Sequence, residues 1–186
     1  KRDFMRNLAR YQPTVILVVP RVAAAFQSAI LQRIEESPPW RRRLFARAMD
    51  NAARIFTDGP RLTGSPLRRA LHRWLYDPLV FRRIRAGFGG RLRFFVSGGA
   101  PLDLEPQVFF KRLGIPMLQG YGLTEASPVI SANCPDAHKL GSSGRLLRWL
   151  LPEAGGDYAF REANGTAGRR LRGELLVKGA CVMKGY

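Results

Sequence analysis

The pattern of hydrophobic and polar positions predicts alternating strands and helices over the first 135 residues. Short apolar runs bounded by proline or glycine have the length of buried strands, and they lie at Val15–Val19, Arg93–Val96 and Ile115–Leu118. Apolar residues recur at helical spacing over residues 1–10, 21–36, 38–57, 66–86 and 104–113. Strand, helix and strand in this order predict parallel strands joined by right-handed crossovers. The predicted fold class is therefore α/β, a mostly parallel sheet flanked by helices.

Within this pattern, the first strand and two of the helices carry specific expectations about burial. Val15–Val19 is apolar throughout, which is typical of a central parallel strand buried on both faces. The helices 38–57 and 66–86 each show an apolar stripe that we expect to face the core. The first stripe is Trp40, Leu44, Phe45, Ala48, Ala52 and Ile55, and the second is Leu67, Leu71, Trp74, Leu75, Leu79, Phe81 and Ile84. Pro78 lacks a backbone N–H and predicts a kink or a split in the second helix.

Residues 136–186 have a different pattern of apolar runs and turns. Apolar runs at Leu146–Leu151, Tyr158–Phe160 and Leu171–Val177 alternate with turns such as Asn164-Gly165, which predicts a β-meander. We therefore predict two parts. Residues 1–135 form the α/β part, with a helical insertion at about 38–88, and residues 136–186 form a truncated β-rich segment.

Composition narrows the class of protein. A chain of 186 residues with 46% hydrophobic residues can bury a core and is not a disordered tail. The longest apolar run is too short to cross a bilayer, and the first residues do not resemble a signal peptide. Cys134 and Cys181 lie in different segments without metal-ligand spacing, so free thiols are expected. These features predict a soluble cytoplasmic protein in a reducing compartment.

The formal net charge of +17 adds a second expectation about partners. Fourteen arginines and three aspartates lie between Pro38 and Arg93, so the excess is concentrated on the predicted helical pair. Such a segment can be a solvated helical face, can make peripheral contact with an anionic membrane surface, including the inner face of a membrane, or can bind nucleic acid nonspecifically. These three readings remain open here, with nucleic acid the least favoured.

Candidate chemistry is concentrated where two of the predicted strands end in glycine. One strand runs into Ser97-Gly98-Gly99 and the next into Gln119-Gly120-Tyr121-Gly122, and a helix that begins after Asp103 and ends before Gly114 joins them. Parallel strands place such ends at one edge of a sheet, where open α/β sheets bind ligands. Tyr121 offers a ring on which a base can stack, Thr124 offers a hydroxyl, and Glu125 offers a carboxylate suited to phosphate-bound Mg²⁺.

These residues carry a resemblance to a known family. Ser97-Gly98-Gly99-Ala100-Pro101-Leu102, followed by Gly120-Tyr121-Gly122-Leu123-Thr124-Glu125, resembles the signature pair of the adenylate-forming (AMP-binding) superfamily. Val19–Val22, Gly173–Gly179 and Met183–Tyr186 make the chain similar to the long-chain fatty acid–CoA ligases of that superfamily. Gly141–Arg145 resembles a further family turn, with Ser143 in place of the usual valine.

The resemblance implies an enzyme that uses ATP and Mg²⁺ to join a fatty acid to AMP and then passes the acyl group to coenzyme A. It implies one role for each matched residue. For the nucleotide, Gly99, Ala100 and Pro101 would lie along the adenine, Gln119 would meet its amino group, Tyr121 would stack on its ring, and Gly122 would complete the nucleotide-binding turn. For the phosphates, Thr124 would bind the α-phosphate and Glu125 would hold Mg²⁺. The acyl channel would be lined by Gly98, Gly120 and Leu123.

Three parts of the family pattern are not found in these 186 residues: the phosphate loop with its lysine, the aspartate that binds the ribose, and the small domain with the catalytic lysine. The expectation is a fragment that does not turn over by itself. Two other classes of function stay open. One is an adenylating domain for amino acids or aryl acids, and the other is a non-catalytic basic module that binds membrane or nucleic acid.

Overall fold

The computed structural model describes residues 2–56, 63–126, 128–151, 154–163, 165–168 and 172–185. Contacts divide the chain into two compact units. The first unit comprises residues 1–119 and 133–142, and the second comprises residues 120–132 and 143–186. The domain boundary predicted after residue 135 stays a prediction about the complete protein.

The first unit combines a parallel sheet with helices. Its helices are α1 (Arg2–Tyr11), α2 (Pro20–Glu35), α3 (Pro39–Ala53), α4 (Pro66–Leu71), α5 (Arg82–Ala86) and α6 (Leu104–Arg112). Its strands are β1 (Val15–Val18), β2 (Phe94–Ser97) and the first half of β3 (Met117–Gly122). Both strand pairs are parallel, so the predicted crossover from β2 through α6 to β3 is confirmed, as is the α/β fold class.

Aromatic rings form the centre of the first unit. Phe95 of β2 is fully buried and meets Phe88 and Phe110 edge-on, with ring centroids 5.5 and 5.2 Å away. Phe26 of α2 and Phe109 of α6 extend the cluster. The apolar faces of α2 and α6 therefore pack against β2 through these rings, and this packing positions the end of that strand.

The expectation of a central first strand was wrong. In the part of the chain that the structure describes, β1 pairs only with β2, and its side chains alternate between core and solvent. Ile16 and Val18 pack against the core, whereas Leu17 is 82% exposed. Successive side chains of a strand point to opposite faces, so an apolar run does not by itself show that both faces are covered.

Residues 66–86 form one helical segment, with π-type hydrogen bonding over His72–Phe81 between α4 and α5. Pro78 lies inside the π-helical part, so the segment is not split there. Proline has no N–H to donate, and a wider helical turn accommodates the missing bond.

The two predicted apolar stripes had different outcomes. On α3 and the residues after it, Phe45, Ala48, Ala52 and Ile55 are buried as predicted, but Trp40 is 58% exposed. On segment 66–86 the predicted stripe was mostly wrong. Its exposed members are Leu67, Leu71, Trp74, Leu75 and Leu79, while the buried side chains are Tyr76, Val80 and Phe81.

Polar contacts explain which face of segment 66–86 is buried. Arg85 forms an ion pair with Asp77, with Nη1 2.8 Å from Oδ1, and also donates to the Leu113 carbonyl at 3.0 Å. The bond to Leu113 ties the end of this segment to the residue that follows α6. The spacing of apolar residues could not predict this arrangement, because the Leu113 carbonyl to which Arg85 donates lies 28 residues away from Arg85 in the sequence.

The second unit is antiparallel. The last three residues of β3 pair with β4 (Val129–Ala132), which pairs with β5 (Arg145–Leu146). A separate sheet has the order β7 (Ala167–Gly168), β6 (Asp157–Arg161), β8 (Glu174–Lys178). The predicted meander was correct for the runs Tyr158–Phe160 and Leu171–Val177, which contribute to the antiparallel neighbours β6 and β8, and wrong for the run Leu146–Leu151, whose β5 residue pairs in the sheet of β4.

The run Leu146–Leu151 also differs from the expectation of a strand. It contains the end of β5 and a 3₁₀ turn at Arg148–Leu150, whose Leu150 is buried with Ala126 and Ile130. The predicted Asn164-Gly165 turn falls partly outside the described residues, and its Gly165 has the positive φ of 86° typical of a turn glycine. No helix in the described ranges is long and apolar enough to span a bilayer.

Candidate functional site

The first glycine turn lies at the end of β2 in the first unit. Ser97 is fully buried and in register with Val18 on one side and Gln119 on the other. Its hydroxyl has no hydrogen-bond partner among the described atoms. After half-buried Gly98, residues 99–101 are exposed. The register places the end of β2 directly beside the Gln119 end of the first half of β3, as the sequence predicted.

Gly99 is required by the turn itself. Its φ is 84°, a left-handed conformation that side chains with a Cβ rarely adopt, and a Cβ built there would have nothing within 4 Å. The main chain of residues 99–101 is therefore open on one side, which is compatible with the backbone contact to adenine that the resemblance implies for Gly99, Ala100 and Pro101.

Asn133 holds the Gln119 end of β3, a role that sequence reasoning missed. The Gln119 carbonyl accepts hydrogen bonds from both the backbone N–H and Nδ2 of Asn133, each at 3.0 Å. Nδ2 of Asn133 also donates to the Ser142 carbonyl at 2.5 Å, and its Oδ1 accepts from the Lys139 backbone N–H at 3.1 Å. The only sequence signal is an asparagine directly after a strand.

The loop held by Asn133 also packs on α6. Gln107 is 1% exposed, donates to the Leu102 carbonyl at 2.9 Å and accepts from the Gly141 N–H at 3.1 Å. His138 is buried in the same loop. Burial, and then the nearby Lys111 ammonium, lower the pKa of His138 below its ordinary value. The loop 133–142 therefore supports both Leu102, which follows the first turn, and Gln119.

The second glycine turn belongs to the second unit and carries the candidate tyrosine. Tyr121 is 44% exposed, so its ring does not lie in the interior. It is in register with Ser131 of β4, and the register shifts between Tyr121 and Gly122. At Gly122 an added Cβ would lie 1.7 Å from the Pro128 carbonyl oxygen. At Gly122, therefore, the protein's own main chain occupies the space that a side chain would need.

The remaining candidates follow at the end of β3. Gly120 is half-buried, Leu123 and Thr124 are exposed, and Glu125 is half-buried. Thr124–Ala126 forms a 3₁₀ turn anchored by buried Ala126, and the Glu125 carbonyl accepts from the Met183 N–H at 2.8 Å. This hydrogen bond fixes the main chain from which the Thr124 and Glu125 side chains project.

A single carboxylate at this turn fits magnesium bound mainly through a nucleotide. Mg²⁺ usually keeps several waters and is held by one or two carboxylates together with substrate phosphates. No cluster of three or more His, Cys, Asp or Glu side chains suited to a metal occurs among the described residues. The predicted role of Glu125 and those of the other site residues stay predictions.

Comparison with known proteins shows the family to which the chain belongs. The family model for AMP-binding enzymes matches residues 1–186. Long-chain-fatty-acid–CoA ligase 4 of Saccharomyces cerevisiae is 30% identical over 185 residues, which cover 100% of this chain and 24% of that protein. Long-chain-fatty-acid–CoA ligase FadD15 of Mycobacterium bovis is 32% identical over 189 residues, covering 100% and 28%. The chain thus spans about a quarter of the length of these relatives.

Solved structures show the same fold at lower identity. A benzoate CoA ligase from Burkholderia xenovorans matches with a TM-score of 0.55 and 19% identity, covering 98% of this chain and 26% of that one. The O-succinylbenzoate coenzyme A synthetase of Bacillus subtilis, in complex with AMP, matches with a TM-score of 0.52 and 22% identity, covering 100% and 26%. With a family match over its whole length and this shared fold, the chain belongs to the AMP-binding enzyme family.

Proposed function

We propose that the complete protein is an ATP- and Mg²⁺-dependent long-chain fatty acid–CoA ligase. The observation that carries the proposal is the 30–32% identity to long-chain-fatty-acid–CoA ligases over the whole of this chain. The aryl-acid CoA ligases among the structural neighbours are 14–22% identical and share the fold. The sequence likeness therefore favours a fatty acid over an aryl acid as the substrate.

The reaction has two steps. The fatty acid carboxylate attacks the α-phosphorus of ATP, a P–O bond breaks, and pyrophosphate leaves with its electron pair. The coenzyme A thiolate then attacks the acyl carbon, forming the thioester and releasing AMP. Two anions must meet in the first step, so orientation and positive or hydrogen-bonding groups around the phosphorus supply the rate enhancement. Magnesium, when bound with ATP, neutralises phosphate charge.

The proposed roles of this chain's residues follow the matched motifs. Tyr121 stacks on adenine, Thr124 donates a hydrogen bond to the α-phosphate, and Glu125 holds the metal. The main chain of residues 99–101 and the Gln119 side chain bind the adenine edge, while Gly98, Gly120 and Leu123 border the acyl group. The exposure of Tyr121 and Thr124 and the anchored turn at Ala126 support these assignments.

The experiment uses the complete protein with palmitate, ATP and coenzyme A, and follows both pyrophosphate release and palmitoyl-CoA. Glu125→Gln keeps the shape of the side chain and removes its charge, and we expect kcat to fall about 100-fold or more. The matched control is Asp136→Asn, an exposed carboxylate in the loop 133–142, which should leave kcat unchanged. Equal loss in both variants would exclude the role of Glu125.

Tyrosine variants test the stacking. Tyr121→Phe retains an aromatic face and should retain the KM for ATP, whereas Tyr121→Ala should raise it about 5- to 100-fold, since base stacking contributes roughly 1–3 kcal/mol. Benzoate and amino acids serve as competing substrates. If either of them, and not palmitate, drives pyrophosphate exchange, the proposed substrate class is wrong.

We also propose that the 186-residue chain alone does not complete the reaction, because it spans about a quarter of the relatives' length. Formation of palmitoyl-CoA by this chain alone would overturn that proposal while leaving the substrate assignment standing.

A further inference from the structure

The helical segment 66–86 has a second apolar face, which is exposed. Leu67 and Trp74 are 78% and 77% exposed, and Leu71, Leu75 and Leu79 are also exposed. They are exposed, whereas Tyr76, Val80 and Phe81 of the same segment are buried. Scattered single leucines on a surface are normal, but a contiguous apolar stripe of this kind marks an interaction surface.

This face cannot turn inward. The other side of the segment holds buried Tyr76, Val80 and Phe81, and the Asp77–Arg85 ion pair with its bond to the Leu113 carbonyl fixes that side against α6. Rotation of the segment would expose a fully buried phenylalanine and break these contacts. The exposed leucines and tryptophan therefore remain outside the core of the first unit.

The segment that carries this face is also cationic. Arg69, Arg73, Arg82 and Arg83 are exposed on the same segment, and the Arg73 guanidinium lies over the Trp74 ring, 5.6 Å from its centroid. The sole acidic residue of the segment, Asp77, is paired with Arg85. Nothing on the segment itself offsets the positive charge of its exposed arginines.

A cavity of about 570 Å³ opens between the end of α3 and this segment. Its lining includes Ile55, Phe56 and Trp74, together with Arg69, Arg73 and Asp77, whose carboxylate is paired with Arg85. Apolar walls beside two guanidinium groups match the chemistry of an anionic amphiphile, whose acyl chain is apolar and whose headgroup is negative. The exposed face and this cavity therefore have the same chemical preference.

We propose that this surface, which we term the arginine–tryptophan face, docks the protein on an anionic lipid surface. It comprises Leu67, Leu71, Trp74, Leu75 and Leu79 with Arg69, Arg73, Arg82 and Arg83. An interfacial helix places leucine and tryptophan at the acyl boundary and its basic side chains among the headgroups. Charge complementarity selects this occupant, because nucleic acid would leave the leucines unused and an apolar protein surface would leave the guanidinium groups buried and unpaired.

The test measures co-sedimentation of the complete protein with vesicles of phosphatidylcholine alone and of phosphatidylcholine with phosphatidylglycerol. We expect binding to the anionic vesicles that weakens as salt is raised. Arg69→Gln with Arg73→Gln should lower the partition coefficient about thirtyfold, since each arginine near such a surface contributes roughly a fivefold factor. The control is Arg33→Gln with Arg148→Gln, which removes the same charge from exposed arginines elsewhere and should have a small effect.

A second pair of variants tests the apolar residues. Leu67→Ser with Trp74→Ser should lower binding about tenfold or more. Tyr11→Ser is the matched control, because Tyr11 is a 70% exposed aromatic residue with Arg10 over its ring, as Arg73 lies over Trp74. Equal vesicle binding by wild type and both test variants, or no vesicle binding by wild type, overturns the proposal.

Three further readouts identify other occupants. If the Leu67→Ser and Trp74→Ser protein unfolds many degrees below wild type, the rest of the protein covers the face. If its mass in sedimentation velocity is half that of wild type, a second copy covers the face. Salt-sensitive binding to RNA without vesicle binding indicates nucleic acid. Each of these results overturns lipid docking, whereas unchanged stability and mass with lost vesicle binding support it.

Discussion

Gly122→Ala tests whether the second glycine turn is demanded by the protein's own packing. A Cβ at Gly122 would lie 1.7 Å from the Pro128 carbonyl oxygen, 2.7 Å from its carbon and 2.8 Å from the Val129 Cα. Carbon and oxygen atoms in contact sit near 3.5 Å, so the strands must separate by more than 1 Å at this point. Overpacking of well-packed sites costs about 1–3 kcal/mol, and a backbone obstruction lies at or above the upper end of that range.

Two matched glycine variants make the comparison specific. At Gly120 the added Cβ would lie 3.3 Å from the Ser131 carbonyl oxygen, which a shift of a few tenths of an ångström relieves. At Gly99 the added Cβ meets nothing within 4 Å, but the φ of 84° costs about 1–2 kcal/mol. The expected order of destabilisation is therefore Gly122→Ala, then Gly99→Ala, then Gly120→Ala.

The assay is urea unfolding of the three variants, followed by circular dichroism, with the wild-type slope as the check on two-state behaviour. A midpoint for Gly122→Ala equal to that of Gly120→Ala would refute the reasoning, because it would mean that the approach of Pro128 does not constrain this glycine. Loss of ATP binding in Gly120→Ala without loss of stability would instead indicate that Gly120, unlike Gly122, leaves room for a ligand.

Three more predictions follow from the first unit. Phe95→Ala removes a fully buried ring that meets two others, and should lower the free energy of unfolding by about 3–5 kcal/mol in urea titrations, with Phe95→Leu costing less. Asn133→Ala leaves the Gln119 carbonyl with one fewer donor, so it should lower the free energy of unfolding by about 1–3 kcal/mol and raise the KM for ATP. A change in stability without a change in KM would contradict the positioning role. Burial lowers the pKa of His72 and of His138 below 6.5, so the folded form favours neutral rings. The contribution of the neutral rings to the free energy of unfolding is therefore complete above about pH 6.5, and it is lost as the pH falls toward the lowered pKa values of the folded state. Unfolding free energy should therefore fall as the pH decreases below about 6.5, and His138→Gln should flatten that slope. An unchanged slope would contradict the assignment.

Sequence patterns predicted the elements whose signals are local. Helix α6 begins after Asp103 and ends before Gly114, whose φ is 79°, because apolar spacing and a glycine stop are properties of adjacent residues. Although Asp103 occupies the N-cap position, its carboxylate makes no capping hydrogen bond in the described helix. The parallel pairing of β2 and β3 also followed from the sequence, because a short crossover helix permits little else. The two motifs at the strand ends were likewise visible without coordinates.

Tertiary structure decided whatever depends on a partner far along the chain. Segment 66–86 has two apolar faces, and the ion pair of Arg85 with Asp77, anchored at Leu113, selects which one is buried. Periodicity alone cannot rank the two faces, since both satisfy helical spacing. In the same way, the reason for glycine at 122 is a carbonyl six residues away across a strand pair, and the role of Asn133 depends on the carbonyl of Gln119. Sequence by itself determined most of the elements and the resemblance to a family, whereas contacts between residues apart in the sequence determined which surfaces are covered and which are exposed.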